Sequence, residues 1–304
     1  MPVQACHAVH FIDMSRPELT ARYLLVVDSL NFCFWQDEEF EYENLAGGIK
    51  ASVLRDSSCL DAARLAEMTS EGLQALVGWK RALPLQEERA RLLREVGQGL
   101  LQGYEGQASN LIHAAGRSAA RLVELVTAAF PGFRDHTIYR GRQVFFYKRA
   151  QIFVGDVWGA FQGQGLGCFP DIHCLTMFAD YRVPVVLREL GVLQYSEQLA
   201  SKVDSRQELQ PGSTEEVEIR AATVVAVDAL RAAVATKFGQ HQLHSTPARE
   251  GDAVGAGTEA GDPNQALVEE RLPNSVQLDW WLWEQGERAR QQHRPHHRTL
   301  TIYY

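Results

Sequence analysis

Leu92-Leu93-Arg94-Glu95-Val96-Gly97-Gln98-Gly99-Leu100-Leu101 decides the class of fold. Its apolar residues at 92, 93, 96, 100 and 101 fall at the spacing of a helix that buries one face. Working outward, Leu111, Ala115, Leu122, Val123 and Val126 repeat that period. The region from Leu60 to Phe130 is therefore predicted to be helical throughout, punctuated by Pro84 and by glycines near Gly103 and Gly106, and stopped by Pro131-Gly132. Toward the N-terminus, Tyr23-Leu24-Leu25-Val26-Val27-Asp28 is apolar but too short to choose between helix and strand. It leads into Asn31-Phe32-Cys33-Phe34-Trp35, then four acids (Asp37, Glu38, Glu39, Glu41) and a turn expected at Gly47-Gly48.

Toward the C-terminus, Ile138 to Phe146 is rich in β-branched and aromatic residues and predicts a short hairpin around Arg140-Gly141-Arg142. Lys148 to Phe161 predicts a helix burying Ile152, Val157 and Phe161. Gly163, Gly165 and Gly167 make a loop, but no strand precedes them as a phosphate loop requires. Val185 to Val203 reads as one further helix. Ser213 and Glu216 form a capping box that opens a helix from Thr214 to about Phe238. Residues 244–268 carry almost no large apolar side chain and read as a disordered surface insertion. A last helix is expected from Ser275 to about Gln292, followed by a basic tail. About eight helices with little strand make the class mainly α: a single helical domain over residues 1–304 with a minor β hairpin.

The 304 residues are 45% hydrophobic, enough for a sizeable core. A net charge of −8 argues against a general electrostatic grip on nucleic acid, so no polynucleotide partner is expected. The five cysteines (Cys6, Cys33, Cys59, Cys168, Cys174) contain no CxxC pair and read as reduced thiols. Cys174 reads as a nucleophile or, preferably, as a buried small hydrophobe. The ten histidines show no metal spacing, so neither metal nor cofactor is expected. No apolar run approaches the ~20 residues of a membrane span. The N-terminus lacks a secretory pattern. A soluble monomer is expected, cytoplasmic or also nuclear.

Three clusters hold the candidates for chemistry. The first is aromatic: Phe32, Phe34 and Trp35, then Phe178 and Tyr181, then Trp280, Trp281 and Trp283. Each ring alone reads as core; triplets beside carboxylates also suit a flat heterocycle held by stacking. The second is Asp279, Trp283 and Glu284, which lie within roughly 140° of one helix face and can share a pocket, or be two solvated acids on a surface helix. The third is basic: Arg140, Arg142, Lys148 and Arg149 could hold a phosphate monoester or form a solvated face. His10 and His173 read as structural or as donors to a sugar or base.

Asp180 sits in Phe178-Ala179-Asp180-Tyr181-Arg182-Val183-Pro184, an apolar setting in which a charge must be paired or used. On those grounds a buried Asp–Arg pair and a working carboxylate read equally well. The run from Phe169 to Ser196, with Asn31 to Trp35, Lys148-Arg149-Ala150-Gln151, Gly212-Ser213, Glu216 to Arg220 and the terminal Tyr303-Tyr304, resembles the queuosine salvage protein family. The likeness covers most of the chain from about Ala21, outside the insertion. It implies an N-glycosylase that releases queuine from queuosine 5′-phosphate, on a fold resembling helix-hairpin-helix DNA glycosylases with a deep central pocket. It implies that Asp180 is the catalytic aspartate, stabilising or attacking the ribosyl cation. It makes Phe178 a base-stacking residue, and Asp279, Trp283 and Glu284 queuine-binding positions. His10 is a looser match to a binding histidine. Phe34, Trp35 and Tyr181 are added as aromatic lining, and Lys148 and Arg149 as phosphate donors. A non-catalytic queuine carrier and a DNA-repair glycosylase are the alternatives.

Overall fold

The structure, a computed structural model, describes residues 9–245 and 272–304. Among these lie twelve α-helices: α1 (Pro17–Ser29), α2 (Tyr42–Arg55), α3 (Ala62–Ala66), α4 (Ser70–Val77), α5 (Gln86–Gly103), α6 (Ala108–Ala114), α7 (Ala119–Ala129), α8 (Lys148–Ala160), α9 (Val183–Glu189), α10 (Glu197–Asp204), α11 (Thr214–Ser245) and α12 (Ser275–Arg288). One antiparallel hairpin, β1 (His136–Tyr139) and β2 (Arg142–Phe145), pairs Tyr139 with Arg142 across the expected turn. The molecule is mainly helical, with more and shorter helices than the eight expected.

The ambiguous run at 23–28 is the middle of α1. Pro17 opens that helix at a position where its missing N–H is no loss. Leu24, Leu25, Val26 and Val27 are at most 2% exposed. A helix apolar all round belongs at the centre of a fold, and α1 packs against α2, α5, α6 and α8. Asp28 and Ser29, the last residues of α1, are buried with it.

Two expectations are corrected. Gly47-Gly48 is no turn but lies inside α2. A Cβ on Gly48 would sit 1.9 Å from the Val77 carbonyl oxygen, so the glycine is there to let α2 meet the end of α4. The single helix expected from Val185 to Val203 is two, α9 and α10. Gly191 adopts a φ of +71° between them, and Ser196 caps α10 by accepting the Leu199 N–H at 3.2 Å. Minor differences follow at other ends: α11 runs on to Ser245, and α12 stops at Arg288. At the start of α11, Ser213 accepts the Glu216 N–H, while Glu216 accepts from Gly212 rather than from Ser213. Except for Ser245 and His244 in α11, the insertion expected at 244–268 lies outside the described residues.

Two apolar clusters position the site. The larger is built on α1 through α8 and includes Phe34, Ile152, Phe153 and Phe178. The smaller joins α9, α11 and α12 through Val183, Leu187, Val217, Val227, Leu278 and Leu282. The segment from Leu175 to Arg182 runs between them.

Candidate active site

A cavity of about 370 Å³ opens where the two clusters meet, within the ~300–1,000 Å³ usual for small-molecule sites. The segment between the clusters sends side chains to both. Met177 and Ala179 pack into the smaller cluster, and Phe178 into the larger. Phe178 and Asp180 both line the cavity. Gly155 of α8 makes room for the Phe178 ring, since a Cβ there would lie 2.9 Å from its Cζ.

Asp180 is held by the start of α9. Its Oδ1 accepts the backbone N–H groups of Arg182 and Val183, each at 3.0 Å. Val183-Pro184 then opens α9, with proline in the first turn. Arg182 is not the ion-pair partner of Asp180. Its guanidinium reaches Glu41 at 3.2 Å and Glu287 at 3.0 Å, and Arg290 closes the ring by pairing with the same two glutamates. Asp180 and Arg182 therefore form no salt bridge, although the nearby guanidinium still favours the ionised carboxyl.

Two helices supply most of the other walls. Lys148, Ile152 and Asp156 follow one another at four-residue steps along α8 and all line the cavity. Lys148 Nζ donates to the carbonyl oxygen of Asn31 at 2.9 Å and to its Oδ1 at 3.4 Å. Asn274 and Gln277 form a reciprocal capping box that starts α12. One face of that helix then presents Asp279, Trp283, Glu284 and Glu287. Asp279 Oδ1 accepts the Phe178 N–H at 3.0 Å, tying α12 to the Asp180 segment.

Four acids, Asp28, Asp156, Asp180 and Asp279, share the pull of Lys148. Burial raises the pKa of Asp180, against the pull of Lys148 and the two backbone donors. Burial, then the nearby Asp180, raises Asp279 well above the usual carboxylate range. Burial pushes Asp156 up to about 7 and pulls Lys148 down to about 8. Asp28, beneath the cavity in α1, is raised well above its ordinary value by burial and by Asp156. Removing charge from water is costly, so such a group stays neutral unless something pairs with it. Burial holds His10 down at about 4, and its neutral ring lies 3.2 Å from the Tyr42 hydroxyl through Nε2.

Of the residues singled out in the sequence, Asp180, Phe178, Asp279, Trp283, Glu284, His10, Phe34, Tyr181 and Lys148 come together around this cavity. Trp35 and Arg149 do not line it. Trp35 packs under the Arg298 guanidinium, 5.3 Å from its ring centroid. Arg149 follows Lys148 by one residue, about 100° around the helix. Its guanidinium is spent on the carbonyls of Ser29 and Gly132. Arg140 is an exposed hairpin residue paired with Glu218, and His173 and Cys174 are exposed, the last contrary to the buried thiol expected. Sequence reading missed Asp156, Glu41, Tyr42 and Glu287. The four-residue repeat from Lys148 could have found Asp156; nothing local marks Glu41. No trio of His, Cys, Asp or Glu among the described residues is arranged to hold a metal ion.

A small cavity lined by acids and aromatic rings suits a cationic heterocycle and can stabilise positive charge that develops during a reaction. The sequence matches the family described as queuosine salvage protein over residues 10–304. A queuosine 5′-phosphate N-glycosylase/hydrolase of Dictyostelium discoideum is 46% identical over 287 residues, covering 94% of this chain and 79% of the relative. Proteins of the same description from Sphaerobacter thermophilus and Mus musculus are 41% and 33% identical, each alignment covering 94% of this chain and 82% of the relative.

Proposed function

Because the chain belongs to the queuosine salvage protein family, we propose that it hydrolyses the N-glycosidic bond of queuosine 5′-phosphate, releasing queuine for salvage into tRNA modification. The observation that carries this reading is the placing of Asp180. Its carboxyl is anchored at one oxygen by two backbone N–H groups and lines a cavity walled by Phe178 and Trp283.

Cleavage of a ribosyl N–C bond develops positive charge on the sugar. A carboxylate fixed in advance stabilises that charge without reorganising. Asp180 does this for C1′, or attacks it. Phe178 and Trp283 stack on the base. The side arm of queuine is a secondary amine, cationic at neutral pH, and Asp279 and Glu284 pair with it or with the donors on the base edge. These acids turn away a neutral or anionic arm. His10, neutral, hydrogen-bonds sugar or base. Of the phosphate donors expected from sequence, Lys148 is the one that faces the cavity, and Arg182 and Arg288 line it as well. A monomer of the helix-hairpin-helix glycosylase type, one domain working in the cytoplasm or nucleus, goes with this reading.

The test is to incubate the protein with queuosine 5′-phosphate and follow free base by chromatography, with Asp180→Asn alongside. Wild type should release queuine, and the variant should bind while releasing it about 10²–10³-fold more slowly. Stoichiometric queuine binding with no ribose 5-phosphate would make the protein a carrier instead.

A further inference from the structure

Asp156 has no part in the chemistry above, yet it shares the cavity-facing stripe of α8 with Lys148. Asp28 lies on α1, the helix packed against α8, near enough to Asp156 to feel its charge. Asp28 is 0% exposed, and neither of its carboxyl oxygens has a hydrogen-bond partner. A buried carboxylate with no donor is far costlier than a buried carboxylic acid. Asp28 therefore keeps its proton, and it does so beside a second acid that opens on the cavity. Two acids in electrostatic contact form a proton-holding pair, as in other carboxyl dyads.

We propose that Asp156, backed by Asp28, is the acid that gives a proton to the base as it leaves. This inference rests on the N-glycosylase reading and assigns the leaving-group half of that reaction. When the N9–C1′ bond breaks, its electron pair stays on the base. A 7-deazaguanine has no N7 to take a proton, so the charge must be met at a ring nitrogen or at O6. The Asp156 O–H supplies that proton, and the resulting carboxylate is faced by the Lys148 ammonium. Water adds to C1′, and its proton leaves through Asp180 to solvent. Asp156 is reprotonated from solvent once the base has gone. The balance is nucleotide plus water giving queuine plus ribose 5-phosphate.

The charged surroundings fit the assignment. Asp156 interacts with Lys148 on its own helix, with Asp28 and Tyr23 of α1, and with Asp279 of α12. Burial outweighs the pull of Lys148 and leaves Asp156 titrating at about 7. An acid with a pKa near the working pH is the most effective proton donor. An ionised Asp156 raises the neighbouring Asp28 further.

The experiment is single-turnover base release from queuosine 5′-phosphate between pH 5 and 9.5, with Asp156→Asn, Asp28→Asn and Asp180→Asn compared with wild type. Wild type should slow above about pH 7, as the acid loses its proton. Asp156→Asn should be slower by about 10²–10³-fold at pH 6.5 and should lose that alkaline limb, with queuine affinity unchanged. Asp28→Asn, which mimics the protonated partner, should keep the limb and stay within about tenfold of wild type. Three results would overturn the assignment: an Asp156→Asn rate within about threefold of wild type, a slow variant whose alkaline limb is unmoved and so belongs to Lys148, or a loss explained by queuine affinity. Failure of wild type to release base would sink the N-glycosylase reading instead, and with it this one. Melting curves and queuine binding confirm that each variant is folded.

Discussion

Two regions of this molecule bury charge, and they do so in opposite ways. Arg89, Arg149 and Arg220 are each at most 3% exposed, yet each guanidinium is held by hydrogen bonds, with Arg149 Nε alone of their nitrogens left without a partner. Arg89 donates to the carbonyls of Pro84, Leu30 and Phe32 and lies 4.3 Å over the Phe32 ring. Arg149 donates to Ser29 and Gly132. Arg220 holds Asp135 through both oxygens, at 3.0 and 2.6 Å, and donates to the Ala179 carbonyl at 3.0 Å. The acids around Lys148 are the reverse: Asp28, Asp156, Asp180 and Asp279 share its pull, and Asp28 has no donor at all. The arginines clamp the 29–33 turn and the 178–182 segment, which carry Asn31, Phe32, Phe178 and Asp180 to the cavity. Satisfied charge builds the frame, and under-satisfied charge is left free to act on a substrate.

Variants of the two regions should therefore fail differently. The largest effect is expected from Arg220→Ala, which strands Asp135. Breaking a buried pair from one side costs about 3–5 kcal/mol, so urea unfolding should show a large loss of stability. A mild effect there would remove Arg220 from the frame. Asp180→Asn should instead lose on the order of 10²–10³ in base release, worth about 3–4 kcal/mol of barrier, while its melting temperature holds or rises. A large fall in melting temperature would place Asp180 with the frame.

Asp156→Asn sharpens the contrast through pH. Asp156 has a raised folded-state pKa, about 7 against an ordinary 3.8. Between those values the unfolded chain has already released the proton, so wild-type stability falls as pH rises and levels off above about 7. The variant should therefore out-melt wild type by a margin that grows from pH 4 to 7 and then stays constant. That margin can grow by at most about 1.4 kcal/mol per pH unit across this window. A margin independent of pH would mean that Asp156 is ionised throughout. Trp283→Ala should weaken queuine binding, read by calorimetry, by about 1–3 kcal/mol and leave global stability nearly unchanged. Unchanged affinity would mean that the Trp283 ring only walls the cavity.

How far the site was legible follows the same line. The stripe Asp279, Trp283, Glu284 was readable because one helix carries it, and Asp180 because a turn-forming Val-Pro follows closely. Lys148 and Arg149 looked alike in sequence. They separate in the structure because successive residues leave a helix about 100° apart, one toward the cavity and one toward the carbonyls of α1 and the 131–133 turn. Asp156 went unread because an acid in the middle of a predicted helix ordinarily points to solvent. Its burial depends on α1 lying across α8. Gly48 misled for a related reason: its need for smallness comes from Val77, on another helix.

The sequence by itself determined the mainly helical class, the hairpin and the face of α12, because each of these is settled by residues within a turn or two of one another. Only the tertiary structure decided which buried charges are spent on the frame and which open on the cavity. Those outcomes rest on contacts between distant residues: Arg149 with Ser29, Lys148 with Asn31, and Asp279 with Phe178. A charged side chain has the same local preferences in either role. Whether it meets a carbonyl, a counter-charge or an empty cavity is set by where the rest of the chain lies.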